Sequence, residues 1–118
     1  MDLAPMKPGI YHVKFSAVTS TNFGEGLAVF SNGTVNGGDP GYIYRGSYVI
    51  SESAITANLR ITRWNPAIPS IFGSFPEFDL KLTGHIPSDW SLFYAEGKVI
   101  QNPALNITIN GRRLGDAA

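Results

Sequence analysis

The chain has 118 residues, nine basic and nine acidic side chains and no formal net charge, which is the length of one domain and lacks the electrostatic footprint that holds phosphate backbones. Hydrophobic residues make up 43% and charged residues 15%, too apolar for a disordered segment, and no apolar run is long enough for a membrane-spanning helix. The absence of cysteine excludes disulfides, thiolate nucleophiles and cysteine-based zinc sites.

Met1 to Pro8 carry a single lysine and no apolar h-region, so the expected location is cytoplasmic, with neither a membrane nor a nucleic acid as direct partner. These eight residues are expected to be poorly ordered. Ile10 to Val18 then sets Tyr11, Val13, Phe15 and Ala17 against His12, Lys14 and Ser16, the period of a strand with one apolar face. Gly26 to Phe30 and Thr34 to Asn36 flank Ser31-Asn32-Gly33. Asn-Gly supplies the two positive φ angles of a type I′ hairpin turn.

Tyr42 to Ser51 forms a fourth strand and Ala54 to Trp64 a fifth, in which Ile55, Ala57, Leu59 and Ile61 alternate with Thr56, Asn58, Arg60 and Thr62. Asn65 to Gly73 contains two prolines, which remove ladder donors, so it reads as a loop with at most one helical turn. Glu77 to Ile86 repeats the clean alternation, and Ser91 to Val99 and Leu105 to Asn110 complete eight strands. Residues 114–118 are expected to be poorly ordered. Thirteen glycines and eight prolines punctuate these runs. The pattern is all-β, a single domain of eight antiparallel strands with little helix, spaced as in an up-and-down barrel or a sandwich.

Candidates for chemistry are few. His12 and His85 lie on polar strand faces, without HxH or HExxH spacing, and read as exposed strand histidines. Glu77 and Asp79 share one face and read as a solvated surface, not as an acid/base pair. No GxSxG elbow occurs. Gly24-Glu25-Gly26 and Gly37-Gly38-Asp39 precede no helix that would hold an anion, so they read as bends and bulges in curved strands. Asn32-Gly33-Thr34 and Asn106-Ile107-Thr108 match the glycosylation pattern, which is idle in the cytoplasm. The expectation is a protein that is not an enzyme, with no cofactor and no metal.

Seven Phe, five Tyr and two Trp fill a core or line a cavity; alternation does not distinguish the two in an eight-stranded barrel. A carrier of a small apolar ligand is therefore the alternative function. Trp64 has the parity of Thr56, Asn58, Arg60 and Thr62, which places it outside the barrel, where an exposed tryptophan marks a dimer interface.

The order and spacing of Gly9-Ile10-Tyr11, Gly24-Glu25-Gly26-Leu27, Asn32-Gly33, Gly37-Gly38-Asp39 and Tyr44-Arg45-Gly46, followed by Arg63-Trp64-Asn65 and Ile68-Pro69-Ser70, resemble the GrlR family of negative regulators of type III secretion. The resemblance implies a lipocalin-like eight-stranded barrel that forms a homodimer. It also implies action by binding a transcriptional activator and keeping it from DNA, without enzymatic activity. The family's contact with its activator is implied to run through an acidic Glu-Asp-Glu-Asp loop. The corresponding loop here is Ile50-Ser51-Glu52-Ser53-Ala54, so Ser51, Glu52 and Ser53 are the candidate partner-binding residues, with Glu52 the one carboxylate.

Overall fold

A computed structural model describes residues 9–18, 22–70, 72, 76–86 and 90–118. Eight strands run β1 (Gly9–Ala17), β2 (Phe23–Ser31), β3 (Thr34–Gly38), β4 (Tyr42–Ser51), β5 (Ala54–Arg63), β6 (Glu77–His85), β7 (Leu92–Val99) and β8 (Asn102–Gly115). Each pairs antiparallel with the next, and β8 returns to β1 to close a barrel. Closure leaves no strand edge free to template association. Among the described residues there is no helix.

Alternation decides which side chains fill the interior. From Ala54 to Ile61 burial on β5 alternates, with Ile55, Ala57, Leu59 and Ile61 buried and Thr56, Asn58 and Arg60 between them exposed, and β7 follows the same rule with Phe93, Ala95 and Val99. β4 and β5 share ten paired positions, from Tyr42↔Arg63 to Ser51↔Ala54. A slip of one residue would turn all of these inward side chains to solvent, so burial fixes the register.

The β2–β3 hairpin turns on Asn32 and Gly33, at φ 52° and 83°. Both values are positive, as the type I′ turn expected there requires. The β4–β5 hairpin is equally short, and its first turn residue is Glu52 at φ 58°.

Several boundaries differ from those expected. β2 begins at Phe23 and not at Gly26, because Gly24 and Gly26 take part in the β1 ladder opposite Phe15 and Val13. β3 likewise continues past Asn36 to Gly38, opposite Leu27.

The last strand is longer at both ends than Leu105 to Asn110. At its start, Val99 pairs with Asn102 while Lys98 pairs with Asn106. The intervening residues form a bulge that takes Pro103 out of the ladder. At its finish, Ile10 pairs with Gly115, so Leu114 and Gly115 belong to β8, not to a poorly ordered tail. Arg113 Nη2 and Asp116 Oδ1 lie 2.6 Å apart just beyond this pairing. The expected disorder of residues 1–8 lies outside the described residues.

After β5 the chain makes no helical turn among its described residues. Trp64 N and Asn65 N both donate to Gly41 O, at 2.9 and 3.2 Å, and Ile68 N donates to Asn65 O at 3.1 Å. The loop is thereby held against the β3–β4 corner.

Candidate functional site: the barrel cavity and its rim

The two ends of the barrel are built differently. At the end that carries the β2–β3 and β4–β5 turns, aromatic rings close the interior. Tyr11, Phe30, Tyr48 and Phe93 form a connected set with ring centroids 5.3 to 5.6 Å apart in edge or tilted contact, the geometry that the ring quadrupole favours. Tyr11 is fully buried and donates its hydroxyl to Trp90 O at 2.9 Å. Burial pushes the Tyr11 phenol up, opposed by the nearby Arg113 guanidinium. Trp90, at φ 62°, holds a backbone conformation that is costly for a bulky residue.

Toward the other end the interior is hollow. A cavity of about 320 Å³ is lined by side chains from all eight strands. Its walls are apolar, with Val13, Phe30, Leu59, Leu80, Leu82 and Ile109 among them. Phe23, Pro40, Ile68 and Pro69 reach its mouth, and Phe23 is 78% exposed. The loop after β5 thus lies over the opening, with the Phe72 ring 5.7 Å from that of Phe78.

One strong polar constellation stands in this apolar lining. Asp39 occupies the β3–β4 corner, and its Oδ1 accepts from Gly41 N at 2.9 Å and Tyr42 N at 2.8 Å. The Tyr44 hydroxyl donates to Asp39 Oδ2. Burial first, and then the hydrogen bond and charge of Asp39, push the Tyr44 phenol far up, so Tyr44 stays protonated and its proton stays directed at the carboxylate. Gly26 makes room for this contact, since a Cβ there would stand 2.6 Å from both Tyr44 Oη and Gly38 O. Alternation does not show this pair, because in sequence Gly37-Gly38-Asp39 has only the signature of a bend. The signal available was an Asp in a tight corner with an inward-facing Tyr five residues on.

The residues singled out from the sequence are not brought together. Ser51, Glu52 and Ser53 are exposed at the β4–β5 turn, at the far end of β4 from Asp39. Ser53 O accepts from Ile86 N at 2.8 Å, which seats the turn on the end of β6. Trp64 is 56% exposed, but it follows the last paired residue of β5, so its position comes from the loop and not from strand parity. Its indole Nε1 donates to Asp39 O at 3.0 Å, which ties the cavity rim to the β5–β6 loop.

His12 lies 3.2 Å from Glu25 across β1 and β2, and His85 is exposed on β6. Glu77 and Asp79 both bind Arg60, with Asp79 held at 2.9 and 3.0 Å through its two oxygens and Glu77 at 2.5 Å. Hydrogen bonds from Arg60 hold both carboxyls below the usual carboxylate range. They form an exposed ion-pair network. Among the described residues no group of three His, Cys, Asp or Glu side chains has the arrangement of a metal site.

An apolar, partly hollow, closed up-and-down barrel of eight antiparallel strands defines a lipocalin-like fold. The family model described as T3SS negative regulator, GrlR, matches residues 6–117. The chain belongs to the GrlR family, and as a member it is a non-enzymatic barrel protein. Comparison with curated proteins finds no match.

Proposed function

We propose that this barrel is a cytoplasmic homodimer that regulates type III secretion negatively, by binding a transcriptional activator and keeping it from DNA. The observation that carries this reading is the family match across residues 6–117, which spans the whole described barrel and not a local motif. The 118 residues act as one unit.

The partner-binding surface is the β4–β5 turn, Ser51, Glu52 and Ser53. Support comes from the exposure of all three and from the single carboxylate of Glu52, which suits a basic feature on the activator. Trp64 lies in the homodimer interface, supported by an exposed indole face of a residue type enriched in interfaces. Contact with the activator needs no chemistry, in keeping with a family of non-enzymatic regulators.

Calorimetric titration of the purified barrel against the purified activator from the same genome tests this reading. Saturable binding at a fixed stoichiometry supports it. No heat and no complex by mass, at concentrations up to about 100 μM, would overturn it.

A further inference from the structure

We propose that the cavity between Asp39 and the aromatic cluster binds a small amphiphile with an apolar body and one hydrogen-bond-donating head, and that it discriminates against anionic amphiphiles such as fatty-acid carboxylates. This goes beyond regulation by protein contact and does not rest on it.

Size comes first. An engineered apolar cavity of about 150 Å³ in another protein stays dry and takes up benzene. At about 320 Å³ the barrel has roughly twice that space, enough for about 12 non-hydrogen atoms at the six that benzene places in the smaller cavity, and it reaches the lower bound of ordinary ligand pockets. Its walls offer water almost nothing. A buried water needs two to four polar partners, and among the described lining side chains the polar atoms are confined to Asp39, Ser70 and the hydroxyls of Tyr42 and Tyr44. An apolar body is therefore what the greater part of this space accepts.

The polar groups then determine the head. Ser70 Oγ already accepts from Phe72 N at 3.1 Å, and Tyr42 Oη accepts from Arg63 Nε at 3.1 Å. Asp39 uses three of its acceptor positions on Gly41 N, Tyr42 N and the Tyr44 hydroxyl, of about four that a carboxylate offers. Because the Tyr44 proton is directed at Asp39, Tyr44 Oη presents lone pairs to an incoming group. At the Asp39–Tyr44 pair the cavity therefore offers an acceptor, while the hydroxyls of Tyr42 and Ser70 also carry a proton each.

A ligand hydroxyl donates to it and satisfies both sides. A ligand carboxylate would bring a second negative charge beside Asp39 in a poorly hydrated site, where like charges repel strongly. Among the described residues no Lys, Arg or His lines the cavity to offset that charge. Entry is by the mouth at Phe23, Pro40, Ile68 and Pro69, on the same side as Asp39, so the body goes in first and the head stays near the rim.

The test uses the full chain with decanol and decanoate, which share a carbon chain and differ in head. Binding is followed by isothermal titration and by the rise in melting temperature at pH 7.5. The expected result is saturable binding of one decanol per barrel, with decanoate weaker by at least about tenfold. Tyr44→Phe removes the acceptor oxygen and is expected to weaken decanol about fivefold while decanoate stays weak. Equal or tighter binding of decanoate to the wild-type protein overturns the proposal, as does the absence of saturable decanol binding up to its solubility. Full retention of decanol affinity in a folded Tyr44→Phe variant overturns the placement of the head. If that variant does not fold, the wild-type comparison of the two ligands still decides.

Discussion

Glu52 is both the one carboxylate of the proposed partner loop and a residue in left-handed backbone conformation, at φ 58°, and these two roles separate experimentally. An L-residue in that region costs roughly 1–2 kcal/mol, whereas glycine enters it freely and costs about 0.5–1 kcal/mol in unfolded-chain entropy. Glu52→Gly is therefore expected to stabilise the barrel by about 0.5–1 kcal/mol. At about 4 °C per kcal/mol for a domain of this size, the melting temperature rises by about 2–4 °C. Glu52→Ala keeps the backbone cost and removes an exposed carboxylate, so its stability stays within about 0.5 kcal/mol of wild type. The seat of the turn, Ser53 O on Ile86 N, is a main-chain contact that neither substitution removes. Both variants lose the same charge, and both are expected to weaken activator binding by a similar factor of about 2–5, as for an exposed rim charge. Thermal melts give the stability arm and titration with activator gives the affinity arm. A loss above about 1 kcal/mol in Glu52→Ala, or no gain in Glu52→Gly, would refute the reasoning about the turn. Equal wild-type affinity in both would remove Glu52 from the partner surface.

Gly26→Ala places a Cβ 2.6 Å from Gly38 O and from Tyr44 Oη, and overpacking of this kind costs about 1–3 kcal/mol; denaturant melts should show that loss, while Gly115→Ala, with nothing within 4 Å of its added carbon, should stay within about 0.5 kcal/mol. Because Arg60 holds Glu77 and Asp79 below their unfolded values, the network stabilises the fold above the ordinary carboxylate range and loses that contribution as pH falls through the lowered values. Melting temperatures taken from about pH 5 to about pH 2.5 should accordingly fall less steeply in Arg60→Ala than in wild type; an unchanged slope would contradict this coupling. Trp64→Ala should weaken the homodimer by about tenfold or more in sedimentation at micromolar concentration, and a wild-type protein that is already monomeric there would exclude the interface.

Most of the barrel is legible in the chain because alternation and burial coincide. Ile55 to Ile61 and Phe78 to Leu82 face inward as their period requires, and Asn32-Gly33 turns where two positive φ angles are needed. The exceptions share one cause, backbone pairing and bulging that the alternation of side chains does not show. Gly24 and Gly26 read as a bend until β1 supplies Phe15 and Val13 as ladder partners. Pro103 conceals the start of β8 because only the bulge opposite Val99 accommodates it.

The site was less legible than the frame. Alternation places Leu80 and Ile109 inside but is silent on whether inward side chains fill the interior, which depends on their summed volume against the barrel's diameter. The Asp39 contact with Tyr44 arises from the corner that returns β3 to β4, a matter of backbone geometry and not of residue period. Trp64 lay on the surface for a reason other than its parity, since β5 stops at Arg63.

The proposed function has this GrlR-family barrel hold an activator away from its promoter. The most direct measurement titrates the purified barrel into a preformed complex of the activator with fluorescently labelled promoter DNA and follows anisotropy. The expected result is a dose-dependent release of activator from DNA, with no anisotropy change when the neutral barrel meets the DNA alone. Activator occupancy that stays constant at saturating barrel, or direct DNA binding by the barrel itself, would contradict it.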